Sequence, residues 1–305
     1  MVSFAPRQFI APVSFGLGDL VVSLPVVQAA VIAGERSGTE TWLVTRSSGQ
    51  AALAERVGGL TGTVAEGDVS LRPGEAYVDL RDHPLQRDHW WGSPEFASAH
   101  GPLSINQIIA RIGAELGVVG DFSAPIPLES MDRPDAEGLV LFVADSDGTA
   151  KRWAVGRWGE LAVGLGRRGL GVAAVTRGGG GNALVDHGVP ELAAPTPGDA
   201  VDVLSACLAV VGVDTGLTHI AAQQGTPTVT VTRMPAVYFR EWEHTRLVAG
   251  SVCDPACRRA EREYAYNHRV DLSGSRPGPR ACPAASACLD SIGADSVLHA
   301  LGELC

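Results

Sequence analysis

The feature that most limits the fold is a repeated alternation of apolar, strand-length runs with longer helical runs. The alternation occurs twice, once over residues 1–137 and again from residue 138 onward. A Pro-rich, polar segment at 121–137 separates the two series and is the best candidate for a linker. Strands that alternate with helices form parallel sheets with right-handed crossovers. We therefore predict an α/β protein of two doubly wound, Rossmann-like domains that face each other across a cleft.

The size and charge of the chain narrow the class of protein. Its 305 residues suit two domains, and 45% of them are hydrophobic, which is enough to form two cores. The formal charge of −10 argues against nucleic acid and anionic membranes as partners. No apolar run reaches the roughly 18–20 residues that cross a bilayer, and the first residues lack the pattern of a secretory signal. These features predict a cytoplasmic protein without a transmembrane segment.

The stretch VVGVDTGLTHIAAQQGTPTVTV at 210–231 concentrates polar residues between an apolar strand and a short helix. Ligands of open α/β sheets bind beyond the carboxyl ends of the strands, and the exposed N–H groups at a helix start attract anions. Asp214, Thr215, Gly216 and His219 therefore form a candidate binding site. In the alternative interpretation, Asp214 and Thr215 only cap the helix and His219 packs in the interior.

A second candidate site lies in SFGLGD, the Gly-rich turn after the first predicted strand. Gly16 and Gly18 leave room for a ligand near the backbone, and Asp19 can direct a carboxylate into the cleft. A carboxylate in this place suits a general base that removes a proton from a hydroxyl group. The alternative is that Asp19 only caps the helix that follows.

Three segments of the chain, in this order, resemble motifs of glycosyltransferase family 9, the ADP-heptose:lipopolysaccharide heptosyltransferase family. They are FGLGDLVVSLPVVQA, TAKRWAVGRWGELAVGL and VGVDTGLTHIAAQQGTPTVTV. The resemblance implies a GT-B fold with an acceptor-binding domain at 1–137 and a nucleotide-sugar donor domain at 138–290. It also implies a C-terminal helix at 291–305 that crosses back to the first domain, and an inverting, metal-independent transfer.

The same resemblance assigns roles to single residues. Asp19 corresponds to the proposed base of the family, Lys151 to a lysine that contacts the donor phosphates, and residues 214–219 to the donor-site signature. Lys151 is also the one lysine among the 24 basic residues that are lysine or arginine, and lysine is a compact phosphate ligand. The alternative for Lys151 is a solvated surface side chain.

Further candidates for donor binding lie near Lys151 and in the loop TRGGGGN; they are Ser146, Thr149, Gly179, Gly180 and Asn182. The two hydroxyl groups can contact phosphate or serve only in turns. The glycines can let a nucleotide approach the loop, although the loop lacks the Gly-x-Gly-x-x-Gly pattern of a dinucleotide site. No acidic residue follows this loop until Asp186, which leaves recognition of the ribose unassigned.

The first domain carries an excess of acidic residues. Residues 1–137 contain nine arginines, no lysine and 17 acidic residues, which gives a charge of 9 − 17 = −8. An anionic lipopolysaccharide core would favour a basic surface instead. Candidates for acceptor binding are Gly18, Asp79, Asp82, His83, Trp90 and Trp91. Carboxylates beside aromatic rings suit a cationic, sugar-like acceptor such as an aminocyclitol, whereas the alternative is an ordinary solvated acidic surface.

Together these features predict a glycosyltransferase. We expect it to move a sugar, preferably heptose from an ADP-linked donor, to a small and possibly cationic sugar acceptor in aminoglycoside-type natural-product biosynthesis. The nucleotide sugar is a substrate, and no cofactor is required. Two other hypotheses are a lipopolysaccharide-type heptosyltransferase and a non-catalytic protein that binds a nucleotide sugar.

Four cysteines near the C-terminus form a weak metal-binding pattern: Cys253, Cys257, Cys282 and Cys288. Four thiolates can hold zinc or iron in a tetrahedral site. The spacings are looser than Cys-x2-Cys, however, and disulfides are rare in cytosolic proteins. A structural Zn or Fe site is therefore one hypothesis, and free thiols are the other.

Overall fold

The structure is a computed structural model of the chain. It describes residues 5–87, 94–101, 103–115, 117, 124–146, 151–178, 182–232, 240, 242–250 and 285–305. The chain divides into two compact units, Met1–Glu129 and Ser130–Cys305. The division lies eight residues before the predicted boundary at 137.

Contacts on either side of this division explain its position. The backbone N–H of Glu129 donates to the Arg56 carbonyl at 2.8 Å, which fastens the end of the first unit. Two residues later the N–H of Met131 donates to the Asp202 carboxylate at 2.7 Å, and Ala136 is fully buried. The last part of the predicted linker is therefore anchored to the second unit by contacts that lie far away in sequence.

The first unit is built on a parallel sheet of four strands in the order β3-β2-β1-β4. Its elements are β1 (Arg7–Ala11), α1 (Leu17–Ser37), β2 (Glu40–Thr45), α2 (Ser48–Ala54), β3 (Gly62–Ala65), β4 (Ala76–Asp79), α3 (Pro84–Arg87), α4 (Pro94–His100) and α5 (Ile105–Glu115). Carboxyl ends of parallel strands meet at one edge of a sheet. The turn that follows β1 and the residues that end β2 and β4 therefore lie along the same edge.

Helix α1 forms the centre of the first unit. Among the described residues it is the one helix whose length and composition would allow it to cross a membrane. Within its most apolar window, 67% is buried inside the protein, and the helix packs against β2 and α5. Gly34 is required for this packing, because a Cβ atom there would lie 2.6 Å from the carbonyl oxygen of Thr39. These contacts are those of the core helix of an α/β unit.

The second unit contains a parallel sheet of six strands in the order β10-β9-β8-β5-β6-β7. Its elements are β5 (Leu139–Val143), α6 (Val155–Arg167), β6 (Gly171–Thr176), α7 (Ala183–Asp186), β7 (Glu191–Ala193), α8 (Pro197–Ala206), β8 (Ala209–Val213), α9 (Gly216–Gln223), β9 (Thr228–Thr232), β10 (Thr245–Ala249), α10 (Ala285–Asp290) and α11 (Ala294–Gly302). This is the Rossmann strand order 3-2-1-4-5-6, with β5 as the first strand. The order reverses between β5 and β8, so ligands are expected at the carboxyl ends of these two strands.

The C-terminal helix α11 belongs to the core of the second unit. It packs against α6, β9 and β10. Gly164 of α6 permits close contact, because a Cβ atom there would lie 2.5 Å from the Leu298 side chain. Just before α11, the Ile292 carbonyl accepts a hydrogen bond from the Trp153 indole at 3.1 Å. The return of residues 291–305 to the first domain stays a prediction.

Candidate functional site

Two residues predicted to bind the donor form a direct ion pair at the point where the strand order reverses. Lys151 follows β5, Asp214 follows β8, and the Lys151 Nζ lies 2.9 Å from the Asp214 Oδ2. The two side chains are 33% and 23% exposed. The pair is therefore open to a ligand, and the Lys151 side chain is held in place rather than extended into solvent.

The helix that follows Asp214 begins with a rigid turn. Thr218 is fully buried, and its hydroxyl donates to the Val213 carbonyl at 2.7 Å. Gly212 makes room for this hydroxyl, because a Cβ atom there would lie 2.2 Å from the Thr218 Oγ1. Thr215 stands at the N-cap position of α9 but makes no capping hydrogen bond through its side chain. The first N–H groups of α9, beginning with that of Gly216, therefore point beyond the sheet edge in a fixed geometry.

His219 lies on the first turn of α9, and its imidazole is neutral at pH 7. Burial lowers the pKa of His219 to about 4, and this effect exceeds the opposing attraction of Asp214. The positive charges of Lys151 and Arg240 lower the pKa further. His219 can therefore act as a hydrogen-bonding group toward a ligand, but it does not add a fixed positive charge.

Arg240 is a member of this cluster that the sequence analysis did not identify. Arg240 follows β9 and precedes β10 in the sequence. Its side chain is only 5% exposed and has its guanidinium 5.4 Å from the ring centre of Trp242. Burial lowers the pKa of Arg240 to about 10, so the group still carries its charge at neutral pH. The segment VYFREWEH contains no motif that separates this arginine from the others. In the structure Arg240 adds a second positive charge near His219.

Other predicted donor residues have mainly local roles in the structure. The Asn182 carbonyl oxygen accepts from the Leu184 N–H at 2.9 Å and so caps α7, while its amide donates to the Asp145 carboxylate at 2.9 Å. Ser146 is partly buried, and its carbonyl accepts hydrogen bonds from the Arg152 guanidinium. Thr149, Gly179 and Gly180 lie outside the described residues.

Glu191 supplies a carboxylate where the sequence analysis found none. It begins β7, but its side chain accepts a hydrogen bond from the hydroxyl of Thr176 at the carboxyl end of β6. The same hydroxyl accepts from the Gly178 N–H at 3.0 Å. In a doubly wound nucleotide-binding sheet the acidic residue that binds ribose stands at the end of this second strand. Glu191 lies 15 positions beyond Thr176, so the sequence alone does not connect its carboxylate with the end of β6.

Asp19 caps the helix that it begins. Its Oδ2 accepts from the N–H of Gly16, the N-cap residue, at 2.9 Å, and Gly18 lies in the same first turn. Glycine at position 16 suits this contact, because a Cβ atom there would lie 2.7 Å from the Asp19 Oδ2. A carboxylate has about four lone-pair positions, so the cap and a role as a base are compatible. The structure thus contains the capping alternative, and the catalytic role of Asp19 stays a prediction.

The predicted acceptor cluster is different from what the sequence suggested. Asp79 is not an open carboxylate, because it accepts hydrogen bonds from the guanidinium groups of Arg46 at 2.8 Å and Arg81 at 3.1 Å. Glu66 contacts both arginines at 2.9 Å, so the four charges cancel. The Arg46 side chain has no exposed surface. The negative charge of Asp79 therefore serves a buried ion network, which removes the basis for assigning it to a cationic acceptor.

His83 is also bound within the first unit. It is buried, its Nδ1 accepts from the Leu85 N–H at 3.2 Å, and its Nε2 lies 3.0 Å from the Glu115 carboxylate. These partners require the proton on Nε2, and they use both ring nitrogens. Asp82 is exposed, whereas Trp90 and Trp91 lie outside the described residues. The contacts of His83 give it a structural role, and its predicted role in acceptor binding stays a prediction.

Replacing Asp79 by Asn should destabilise the first unit. The change leaves the fully buried Arg46 with less than its full compensating charge, and breaking a buried pair in this way costs about 3 kcal/mol. We expect a matching decrease in the free energy of unfolding, measured by chemical denaturation. The exposed Asp82→Asn variant is the control and should change this free energy by less than about 0.5 kcal/mol. Equal stabilities of the two variants would show that the ion network is dispensable.

Only one of the four cysteines in the proposed metal site lies within the described residues. Cys253, Cys257 and Cys282 lie outside the described residues. Cys288 is buried, and a Cβ atom at Gly250 would lie 2.5 Å from its sulfur. Over the part of the chain that the structure describes, no three His, Cys, Asp or Glu residues come together as metal ligands.

Comparisons with known proteins agree with this architecture. Residues 121–250 match the model of glycosyltransferase family 9 (heptosyltransferase). Among solved structures, E. coli heptosyltransferase WaaC with ADP-2-deoxy-2-fluoro heptose aligns with a TM-score of 0.61 and 16% identity over 98% of this chain and 100% of that one. The family 9 glycosyltransferase of Veillonella parvula aligns with a TM-score of 0.66 and 14% identity over 99% and 98%.

A third structure is the iron-containing dodecameric glycosyltransferase TibC of enterotoxigenic E. coli. It aligns with a TM-score of 0.66 and 17% identity over 98% of this chain and 76% of that one. No curated protein matches the sequence.

The two parallel sheets and these alignments define a protein of the GT-B glycosyltransferase fold, as the sequence predicted. The predicted resemblance to glycosyltransferase family 9 is confirmed as well, because the family model covers the part of the chain from the linker to β10. Residues 121–250 are therefore similar to the family 9 heptosyltransferase model, and the chain as a whole shares the fold of the solved glycosyltransferases named above.

Proposed function

We propose that the protein transfers a sugar, preferably heptose, from an ADP-linked donor to a hydroxyl group of an acceptor, with inversion and without a metal ion. The observation that carries this proposal is the Lys151–Asp214 pair at the reversal of strand order, beside the start of α9, within a segment that matches family 9. Two structures that align with the chain were determined with ADP or an ADP-linked heptose, which supports the choice of donor.

The chemistry needs a base for the acceptor and positive charge for the leaving group. The acceptor oxygen forms a bond to the anomeric carbon, the bond from that carbon to the phosphate oxygen breaks, and the hydroxyl proton passes to Asp19. The nucleoside diphosphate then leaves with both electrons of the broken bond. Lys151 and the N–H groups at the start of α9 neutralise its developing charge, and the buried Arg240 adds to the local positive potential.

The remaining polar groups suit the nucleotide part of the donor. His219 is neutral and can donate or accept a hydrogen bond without repelling Lys151. Glu191 begins β7, its carboxylate contacts Thr176 at the end of β6, and it can accept hydrogen bonds from ribose hydroxyl groups. These roles assign one set of side chains to the diphosphate and another to the sugar of the nucleoside.

The acceptor is proposed on charge alone. The net charge of −8 on residues 1–137 favours a small acceptor that is neutral or cationic, such as an aminocyclitol of a natural-product pathway. Asp79 and His83 do not add to this argument, because both are bound within the first unit. A lipopolysaccharide-type acceptor agrees equally with the structural relatives. Turnover assays with an aminocyclitol and with an anionic core sugar therefore decide between the two.

Thermal unfolding in the presence of nucleotides tests the donor. We expect ADP and ADP-heptose to stabilise the protein more than the UDP, GDP and dTDP equivalents. A ligand at about a hundred times its Kd adds roughly 2.7 kcal/mol to the free energy of unfolding, which gives a shift of a few degrees. Stabilisation by another nucleotide would change the proposed donor but keep the reaction type. The absence of any shift would contradict the donor site.

A non-catalytic nucleotide-sugar-binding protein is the remaining candidate function. It predicts the same thermal shifts but no release of nucleoside diphosphate on incubation with any acceptor. Turnover that depends on Asp19 excludes it.

A further inference from the structure

The turn between β1 and α1 is held from one side by residues 46–50, which lead from the end of β2 into the first turn of α2. Gln50 is fully buried and makes two of the contacts to the turn. Its amide nitrogen donates to the carbonyls of Ser14 at 2.9 Å and Gly16 at 3.0 Å, and its amide oxygen accepts from the Arg46 N–H at 2.9 Å. A single side chain thus links the two segments by two hydrogen bonds, and the third, from Arg46, holds it in place within its own segment.

Two neighbours of Gln50 complete this contact. The Ser47 hydroxyl donates to the Phe15 carbonyl at 3.2 Å, and the Arg46 guanidinium donates to the Pro12 carbonyl. Four carbonyls of the turn therefore receive hydrogen bonds from side chains of residues 46–50. Buried carbonyls need such partners when they lie outside a helix or strand ladder. The turn is consequently fixed in one conformation by residues that are 32 to 36 positions away in sequence.

The fixed turn is connected to the carboxylate of Asp19. Gly16 donates its N–H to the Asp19 Oδ2 at 2.9 Å, and the carbonyl of the same Gly16 accepts from Gln50. The peptide units on both sides of Gly16 are therefore held, one by Asp19 and the other by Gln50. A rotation of this turn would move the N–H group that orients the carboxylate.

We infer that Gln50 is a positioning residue for Asp19, which it orients through the backbone of Gly16. The inference rests on the proposed function, in which Asp19 is the base. The position needs two donors and one acceptor in one side chain, and among side chains of this size only a carboxamide supplies them. Glutamine is therefore required for its hydrogen-bonding groups, and a side chain that only fills the same volume would not replace it.

The test replaces Gln50 by Met, which has a similar length and no charge but cannot donate. Misplacement of a catalytic group by about 1 Å can lower the rate about 100-fold. We expect kcat to fall by about 10- to 100-fold while the KM for the nucleotide sugar stays unchanged. We also expect the acid limb of the pH profile of kcat to move to higher pH, because a carboxylate that loses an oriented N–H donor has a higher pKa. The arginines that contact the turn, Arg46 and Arg81, keep their carboxylate partners in this variant, so no charge changes.

Gln8→Met is the matched control. Gln8 is partly buried in β1 and donates to the Ala30 carbonyl of α1 and to the Thr41 hydroxyl, both at 2.8 Å. The control therefore removes side-chain hydrogen bonds of the same kind within the first unit, at Thr41 of β2 and at a carbonyl eleven residues further along α1 than Asp19. It should lower the stability of the first unit and leave kcat and the acid limb unchanged. Equal changes of kcat and the acid limb in both variants would overturn the inference, since the effect would then be structural.

A second variant covers the case in which Gln50→Met does not fold. Gln50→Asn keeps both donors and the acceptor but is one methylene shorter, so it cannot reach both carbonyls. We expect a smaller change of kcat and of the acid limb in the same direction. Wild-type values for both quantities in a folded Gln50→Asn or Gln50→Met variant would show that Gln50 does not position Asp19.

A measurement that needs no turnover separates this inference from the proposed function. The carboxyl carbon of Asp19 can be followed by NMR after selective labelling of aspartate, and its signal can be assigned with the Asp19→Asn variant. Replacement of Gln50 should raise the pKa of Asp19, and replacement of Gln8 should not. If the wild-type protein shows no turnover but this difference is present, the proposed reaction fails and the positioning stands. If turnover is normal and the pKa of Asp19 is the same in all variants, the positioning fails.

Discussion

Replacement of Asp19 by Asn is expected to lower kcat by about 10²- to 10⁴-fold, the contribution of a positioned general base. Asparagine keeps a carbonyl oxygen that can accept from the Gly16 N–H, so the capping contact at 2.9 Å survives. The change therefore removes the basicity of the side chain and little else. Affinity for the nucleotide sugar should stay the same, because the donor ligands named above lie in the second unit.

Asp199→Asn is a matched control for this experiment. Asp199 occupies the same third position of α8 and accepts from the Thr196 N–H at 3.0 Å in a capping box. If Asp19 is only a cap, both variants should lower the stability of their helices slightly and leave kcat unchanged. A large loss of kcat in the Asp19 variant alone identifies the base. Full activity of Asp19→Asn would assign Asp19 to capping and require another group to accept the proton.

Asp19 and Asp199 show that a local sequence pattern can predict a helix cap but not a catalytic role. Asp19 and Asp199 follow the same local pattern, an acidic residue at the third position of a helix, and both accept from the N–H of the N-cap residue. Asp199 also exchanges hydrogen bonds with the Thr196 hydroxyl. Local sequence therefore predicts the cap correctly and cannot tell which of the two also serves as a base. The resemblance to family 9 separates them, since only Asp19 falls within a matching motif.

The parallel sheets and the position of the donor site could be predicted, because both follow rules that hold for α/β proteins in general. Alternation of strands and helices predicted both parallel sheets, which the structure confirms. Ligands of such sheets bind beyond the carboxyl ends of the strands, and this rule selected Asp214, while the resemblance to family 9 selected Lys151. Their direct pairing across 63 positions of sequence appears only in the structure.

The partners of the candidate acceptor residues could not be predicted, because the sequence grouped them only by adjacency. Asp79 and His83 were grouped as an acidic cluster, but their main partners are Arg46 and Glu115, which come from other elements. Glu191 was missed for the same reason, since its side chain reaches the end of the neighbouring strand. Pairings between distant elements depend on strand register and helix packing, which a single sequence does not display.

Replacement of Lys151 by Ala is expected to have the second large effect, on binding of the nucleoside diphosphate. A hydrogen bond to a charged group contributes about 1.5–3 kcal/mol, so the Kd for ADP should rise by roughly 10- to 150-fold. The Kd for adenosine, which has no phosphate, should stay the same. Both constants can be measured by isothermal titration calorimetry, and the difference between them isolates the phosphate contact.

The neighbouring Arg152→Ala variant controls for a general loss of positive charge. Arg152 is exposed, and its guanidinium donates to the Ser146 carbonyl at about the limit of a hydrogen bond. Its removal should change the Kd for ADP less than about threefold at physiological salt, because exposed charges are screened there. An equal effect of both variants would mean that the region attracts phosphate only by its overall charge.

Equal losses of ADP and adenosine binding in Lys151→Ala would mean instead that Lys151 supports the local structure. Its pairing with Asp214 would then be its main role. A loss confined to ADP places the diphosphate at the carboxyl ends of β5 and β8. The leaving group then lies where Lys151 and the start of α9 can stabilise it without a metal ion.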